Sequence, residues 1–140
     1  MTILGVIIAI ILIALSALHL YWAGGGKWGF DQALPKDKEG KRVLNPGRID
    51  CVIVACGLLL FALYYLIQVG VMPIRLPVWL TTYGIWVISA IFALRALGDF
   101  KYIGFTKRIT NTDFAKLDTA YYSPLCALLT LGGIMIEMMK

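Results

Sequence analysis

Few side chains in this chain can transfer a proton or hold a charge, and most of these lie beside long apolar segments. His19 is the single histidine, and imidazole exchanges a proton readily near neutral pH. Arg95 carries a permanent charge, and burying it away from water requires a partner. These residues are therefore candidates for a site. The polar and aromatic residues that fall near one set of helix ends are His19, Tyr21, Trp22, Trp28, Asp50, Arg95, Asp99, Asp118, Tyr122 and Ser123.

One chemistry that these residues predict is proton transfer on a lipid-like substrate. His19 is the candidate general base or proton carrier, oriented by Asp118 or Asp50. A general base needs a positioned ring and access to its substrate. The sequence contains no other recognisable catalytic motif, so the balance favours a protein that is not an enzyme. No catalytic residue beyond His19 is proposed.

A second hypothesis is ligand binding in a pocket at one membrane face. Arg95 is the candidate partner for an anionic head group or a carboxylate, because guanidinium matches the geometry of both. Tyr121 or Tyr122 can donate a hydrogen bond. Such a pocket suits a membrane lipid or another amphipathic ligand, with its tail between helices.

Two further interpretations assign no pocket. In the first, His19, Tyr21, Trp22 and Trp28 belong to an interfacial aromatic belt, and Arg95 joins the aspartates in an ion-pair network that locks helix ends together. In the second, the chain is an accessory subunit that packs against another membrane protein or against a second copy. All four interpretations remain open at the level of sequence.

Several classes of function lack the residues they need. A haem with two axial histidines requires more than His19, and the acidic residues show no metal-ligand spacing. Cys51, Cys56 and Cys126 form an odd set without a CxxC pair, which favours apolar packing over redox chemistry. Nucleic-acid binding lacks a motif. We therefore expect no metal, no cofactor and no nucleic-acid partner.

The elements that must position these residues are four long apolar blocks. Sixty per cent of the 140 residues are apolar, 15% are charged, and the mean hydropathy is +0.81. A helix of about 20 apolar residues crosses a hydrocarbon core roughly 30 Å thick. The sequence predicts an all-α, antiparallel four-span transmembrane bundle that forms one integral membrane domain, residues 1–140. The predicted spans are 3–23, 51–72, 78–98 and 120–139, with loops 24–50 and 99–119.

Local signals refine these boundaries. Span one has no basic region before it and ends in aromatic residues, which favours a retained span over a signal peptide. Asn45 before Pro46 is typical of a helix start. Two prolines in 72–77 predict a tight turn, so spans two and three should form a hairpin. A capping sequence at 110–113 predicts a short interfacial helix before span four, in which Pro124 leaves the carbonyl of Ala120 without its usual partner.

The distribution of basic residues predicts orientation. Among the 13 lysines and arginines, only Arg75 and Lys140 lie outside the two long loops and their flanks. Loops rich in lysine and arginine stay on the cytoplasmic side. We therefore expect both long loops in the cytoplasm and both termini outside it. The net charge of +5 reflects this topology.

Three motifs follow one another over nearly the whole chain. They are His19-Leu-Tyr-Trp-Ala-Gly-Gly with Trp28-Gly29, Arg95-Ala-Leu-Gly-Asp99 with Gly104-Phe105, and Phe114-Ala-Lys-Leu-Asp118-Thr119 leading to Tyr122-Ser-Pro-Leu-Cys126. In these motifs the chain resembles a family of small bacterial four-helix membrane proteins catalogued as a domain of unknown function. The resemblance implies a bacterial inner-membrane or plasma-membrane protein, and it implies no activity, substrate or cofactor.

Overall fold

The structure, a computed structural model, describes all 140 residues, and its named secondary-structure elements are all helices. Four helices are long and apolar enough to cross a membrane, so the chain is a multi-span membrane protein. The last of them is continuous from Asp113 to Met138 but changes its winding near its start. The elements are α1 (Thr2–Ala23), α2 (Arg48–Gln68), α3 (Val78–Leu97), α4 (Asp113–Leu117), a π-helical turn (Asp118–Tyr122) and α5 (Ser123–Met138).

The helices pack as two pairs, and the first pair is α1 with α2. The Thr2 hydroxyl, at the start of α1, donates to the carbonyl of Val69 just after α2, at 3.5 Å. Farther along, the buried Ser16 hydroxyl donates to the carbonyl of Ala55 at 2.7 Å. Gly5 faces Val69 so closely that a Cβ on Gly5 would overlap the valine side chain. Opposite ends of the two helices therefore meet along a tight contact.

The second pair is α3 with α5. The Thr130 hydroxyl donates to the carbonyl of Ser89 at 3.2 Å, and Gly133 lets the Ser89 and Tyr65 hydroxyls come close to its backbone. The core lies where the pairs meet and is almost entirely apolar. Its buried residues are Ile8, Ala9, Leu12, Leu58, Ala62, Tyr64, Tyr65, Ile85, Ile88, Phe92, Leu129 and Ile136.

The expected hairpin between spans two and three is a connection and not a packed pair. The turn at 69–77 joins them, and the Tyr64 hydroxyl donates to the carbonyl of Leu80 at 2.8 Å. Beyond this point α2 and α3 touch little, and an apolar groove of about 470 Å³ separates them. Instead, α2 packs against α1 and α3 packs against α5, so this turn joins helices of different pairs.

The start of α2 differs from the sequence-based expectation. The helix begins at Arg48 with Gly47 as its N-cap, and the Asp50 carboxylate accepts the N–H of Gly47 at 2.7 Å. The prediction of a start at Asn45 and Pro46 is therefore wrong, because Asp50 satisfies the donor of Gly47 instead. The helix ends at Gln68, four residues before the predicted boundary, where Gly70 turns the chain with a φ of 78°.

The interfacial helix and the fourth span form one continuous run. The Thr112 hydroxyl accepts the N–H of Ala115 at 3.1 Å, which caps α4 as the sequence indicates. The chain then widens into the π-helical turn, in which Ser123 donates its N–H to the carbonyl of Asp118. This turn lies directly before Pro124, which has no N–H to continue the α-helical pattern. The long loops are consequently 24–47 (loop one) and 98–112 (loop three), shorter than predicted.

Candidate functional site

Loops one and three lie at the same end of the bundle, here called the loop end, and a cavity of about 460 Å³ opens there between the two helix pairs. Its volume lies within the range of small-molecule sites, about 300–1,000 Å³. Most of its wall is apolar. The apolar side chains from the helices are Leu15, Leu18, Trp22, Cys51, Val54, Leu125 and Cys126, and the polar ones are His19, Asp50, Arg95 and Tyr122.

Loop one forms the rest of the wall and is fixed to the helices by several contacts. The Trp22 indole N–H donates to the carbonyl of Trp28 at 2.8 Å, and its ring meets Phe30 edge-on with centroids 5.7 Å apart. The Tyr21 hydroxyl accepts the N–H of Trp28 at 3.3 Å. From the fourth span, the Tyr122 hydroxyl donates to a loop-one carbonyl at 3.4 Å. The loop thus lies across the seam between the pairs as an ordered cover.

His19 lines this cavity, but no carboxylate orients it. Its Nδ1 lies 2.7 Å from the carbonyl oxygen of Leu15. Because a carbonyl only accepts, Nδ1 carries the proton in this contact, and Nε2 of the neutral ring is the free acceptor. The ring also packs edge-on against Trp22, at 5.0 Å between centroids. The expectation that Asp118 or Asp50 orients His19 is therefore wrong.

Asp118 lies at the centre of a different group, the buried ion triad Arg95–Asp118–Lys107. Asp118 is fully buried. One carboxylate oxygen accepts from Arg95 Nη2 at 3.0 Å, and the other accepts from the N–H of Gly104 at 2.8 Å and from Lys107 Nζ at 3.1 Å. Among the predicted aspartates Asp50, Asp99 and Asp118, the structure pairs Arg95 with Asp118. The triad fastens loop three to α3 and to the π-helical turn.

Lys107 is the member of this group that the sequence analysis missed. Its side chain is 2% exposed, and its ammonium also donates to the Gly104 carbonyl at 2.9 Å and to the Thr119 hydroxyl. All three of its donors are satisfied. Lys107 and Asp118 are 11 residues apart across a loop, and this spacing matches no helix or strand periodicity. The pair could therefore be identified only from the folded structure.

Loop three reaches Asp118 because two glycines permit a close fold. Gly98 and Gly104 have φ of 87° and 83°, and a Cβ on Gly104 would overlap the carbonyl of Leu97. The N–H of Phe105 donates to the carbonyl of Ala96 at 2.8 Å, which satisfies a free carbonyl at the end of α3. These contacts carry the Gly104 N–H and Lys107 to the buried carboxylate.

A known family model covers most of the chain. The model of the family described as a protein of unknown function, DUF3995, matches residues 12–133. The chain belongs to the DUF3995 family. No curated protein and no solved structure matches this DUF3995 chain. The family match over residues 12–133 confirms the resemblance to a family of unknown function that the three motifs indicated.

Other predicted site residues of this DUF3995 protein lie outside the cavity wall. Asp99 accepts the N–H groups of residues 101, 102 and 103 at 2.7–3.0 Å. Burial acts to raise the pKa of Asp99, but these backbone donors outweigh it and hold the pKa below its ordinary value. Tyr21 supports loop one, and Ser123 is fully buried with no hydrogen-bond partner for its hydroxyl. These residues support the structure around the cavity.

The structure therefore divides the predicted cluster in two. The first part lines the cavity: His19, Trp22, Trp28, Asp50, Arg95 and Tyr122. The second part, Tyr21, Asp99, Asp118 and Ser123, does not contribute to its wall. Arg95 connects the parts, because it lines the cavity and pairs with Asp118. Its Nη1 is buried without a hydrogen-bond partner, so the guanidinium retains an unused donor.

Proposed function

We propose that this DUF3995 protein is a membrane-embedded binding protein that holds an amphipathic molecule in the loop-end cavity without altering it. The observation that carries the proposal is the cavity itself. It combines a mainly apolar wall with a few convergent polar groups, which is the composition of small-molecule sites. Its position at the helix ends suits a molecule whose apolar tail extends into the seam.

Arg95 supplies the polar contact that fixes such a molecule. One side of its guanidinium is tied to Asp118, which holds the side chain in place at the cavity wall. The Nη1 donor is buried without a partner, and a carboxylate, ester or phosphate oxygen of a ligand that reaches it would satisfy it. A donor already held in position loses little conformational freedom on binding.

A second candidate function is catalysis on the same class of molecule, because His19 faces the cavity with a free Nε2. One contact of His19 supports the proposal of binding over that of catalysis. The partner of His19 is a backbone carbonyl, which fixes the ring but does not stabilise a positive charge on it as a carboxylate does. A third candidate, an accessory subunit, would use the apolar outer faces to contact a second copy or another membrane protein.

The basic loops support an orientation for this site relative to the membrane. We propose that the protein lies in the bacterial inner membrane with the loop end in the cytoplasm and both termini outside. The excess of lysine and arginine in loops one and three supports this orientation. The cavity then opens toward the cytoplasmic leaflet, and membrane lipids are its immediate source of ligands.

The test is whether bound lipid depends on the cavity. Val54 lines it and is 45% exposed, so Val54→Trp fills space at small cost to folding. Ile53 is its neighbour, is 64% exposed and does not line the cavity, which makes Ile53→Trp the matched control. The proteins are purified in mild detergent, and retained lipids are quantified by mass spectrometry. We expect wild type and Ile53→Trp to retain a lipid that Val54→Trp loses.

Two outcomes would count against binding. Equal lipid in all three proteins would mean that retention is nonspecific, and the cavity would have no role. Conversion of added lipid to a new product, abolished by His19→Gln, would replace binding with catalysis.

A further inference from the structure

We infer that the amphipathic ligand carries a phosphate group, held in a basic vestibule at the mouth of the cavity. This inference rests on the proposed function and adds the class of head group. The vestibule is a second, more open cavity of about 660 Å³. It shares Trp22, Phe30, Pro46 and Cys51 with the first cavity, so the two adjoin along these side chains.

The vestibule is rich in positive charge. Three cations, Lys27, Arg42 and Arg48, line it with one carboxylate, Asp31. Asp31 is already bound by Lys36 at 2.7 Å and by Arg42 at 2.8 Å. These two hydrogen bonds hold the pKa of Asp31 below its ordinary value, so the carboxylate stays ionised and engaged.

Lys27 and Arg48 therefore have no carboxylate partner, and both are exposed at the vestibule. Arg48 stands at the first turn of α2 and reaches back to the end of α1. Its Nη2 lies beside Gly25, whose added Cβ would be 3.8 Å away. The side chain thus extends from the start of α2 toward the segment that follows α1, within the wall of the vestibule.

A phosphate ester matches this arrangement better than a neutral or cationic head. Two unpaired cations suit a group with close to two negative charges. Arginine donates to two phosphate oxygens at once, while lysine adds a point charge. The adjoining apolar cavity supplies the place for a hydrocarbon chain. Together the two cavities fit one molecule with a phosphate at one end and a chain at the other.

Topology offers a simpler account of these cations, because cytoplasmic loops are basic in general. Loop three and its flank provide the control for this account. Arg108 and Lys116 are exposed, have no carboxylate partner and lie outside both cavities. Replacing them removes the same charge from the same end of the bundle.

The experiment measures binding of three probes to detergent-solubilised protein by native mass spectrometry. The probes are phosphatidic acid, diacylglycerol with the same acyl chains, and inorganic phosphate. We expect wild type to bind phosphatidic acid at least about tenfold more tightly than diacylglycerol. We expect the double variant Lys27→Gln/Arg48→Gln to lose most of that difference, and Arg108→Gln/Lys116→Gln to retain it. The modest factor reflects the exposure of both cations.

Each alternative result has a distinct meaning. Equal binding of phosphatidic acid and diacylglycerol overturns the phosphate assignment but leaves the proposed function intact. Equal losses in both double variants overturn it too, because the effect would be net charge alone. If inorganic phosphate binds equally to wild type and to Val54→Trp while neither lipid binds, the ligand is free phosphate, and the inference of an amphipathic ligand is overturned. Failure of every lipid to bind wild type overturns the proposed function.

Discussion

Removing the charge of Asp118 should destabilise the protein more than any other single loss of a carboxylate. In Asp118→Asn the side chain keeps its size but presents an amide. Its two former oxygens accept from Arg95 on one side and from Gly104 and Lys107 on the other. Whichever way the amide lies, its NH₂ group faces a donor, and the ammonium of Lys107 is left buried without an anion.

The magnitude follows from burial. Asp118 is 0% exposed and the Lys107 side chain is 2% exposed, whereas the Arg95 side chain is 33% exposed and can be partly hydrated. Breaking a buried ion pair by removing one partner costs about 3–5 kcal/mol. That is a large share of a typical stability of about 5–15 kcal/mol. We expect the melting temperature to fall by on the order of 10 °C.

The assay is thermal unfolding in mild detergent, followed by tryptophan fluorescence. Asp113→Asn is the control, because Asp113 is exposed and has no side-chain partner. The double variant Asp118→Asn/Lys107→Met should recover part of the loss, since it removes the unpaired cation as well. If Asp118→Asn melts within about 2 °C of Asp113→Asn and Lys107→Met gives no recovery, the triad does not stabilise the fold.

Three further predictions concern the loops. Both Gly104 and Gly40 have a positive φ, but only a Cβ on Gly104 would overlap Leu97. In denaturant titration, Gly104→Ala should therefore lower the free energy of unfolding by clearly more than the roughly 1 kcal/mol expected for Gly40→Ala, and equal losses would contradict the close fold. Asp99→Asn should reduce the melting temperature at pH 7. Folding lowers the pKa of Asp99, so its contribution to stability is lost as the pH falls through the folded-state pKa, and the difference from wild type should disappear only below about pH 4. A difference that is already lost at pH 6 would refute this role of Asp99. In a cysteine-free background, Gly40→Cys in intact cells should resist an impermeant maleimide that labels Arg75→Cys, and the reverse pattern would invert the proposed topology.

The buried triad also bears on the site, although Asp118 does not line the cavity. It holds Arg95 through one guanidinium nitrogen and anchors loop three through Gly104 and Lys107. Pairing with Asp118 lowers the cost of placing Arg95 near the membrane, and its Nη1 still has no hydrogen-bond partner. The ion-pair network and the proposed binding site, which were alternatives at the level of sequence, are therefore compatible with each other.

Four membrane-spanning helices follow directly from the sequence, because long apolar blocks are determined by composition and need no tertiary information. The chain positions of the spans agree with the helices to within a few residues at most boundaries. The exceptions are local. α2 starts at Arg48 because Asp50 caps Gly47, and the fourth helix starts early because the π-helical turn joins α4 to α5. Both depend on hydrogen bonds that a hydropathy pattern does not contain.

The gathering of polar residues at one end was also visible in the sequence, since depth in the membrane follows from position along each helix. Which residues meet was not visible. Depth does not specify rotation of a helix about its axis, and so it placed Asp118 near His19 instead of beside Lys107. Loop residues such as Lys107 have no periodicity from which a direction could be derived. Only the packing of the two helix pairs, and the fold of loop three through Gly98 and Gly104, decided that Asp118 would be buried with two cations while His19 faces an open cavity.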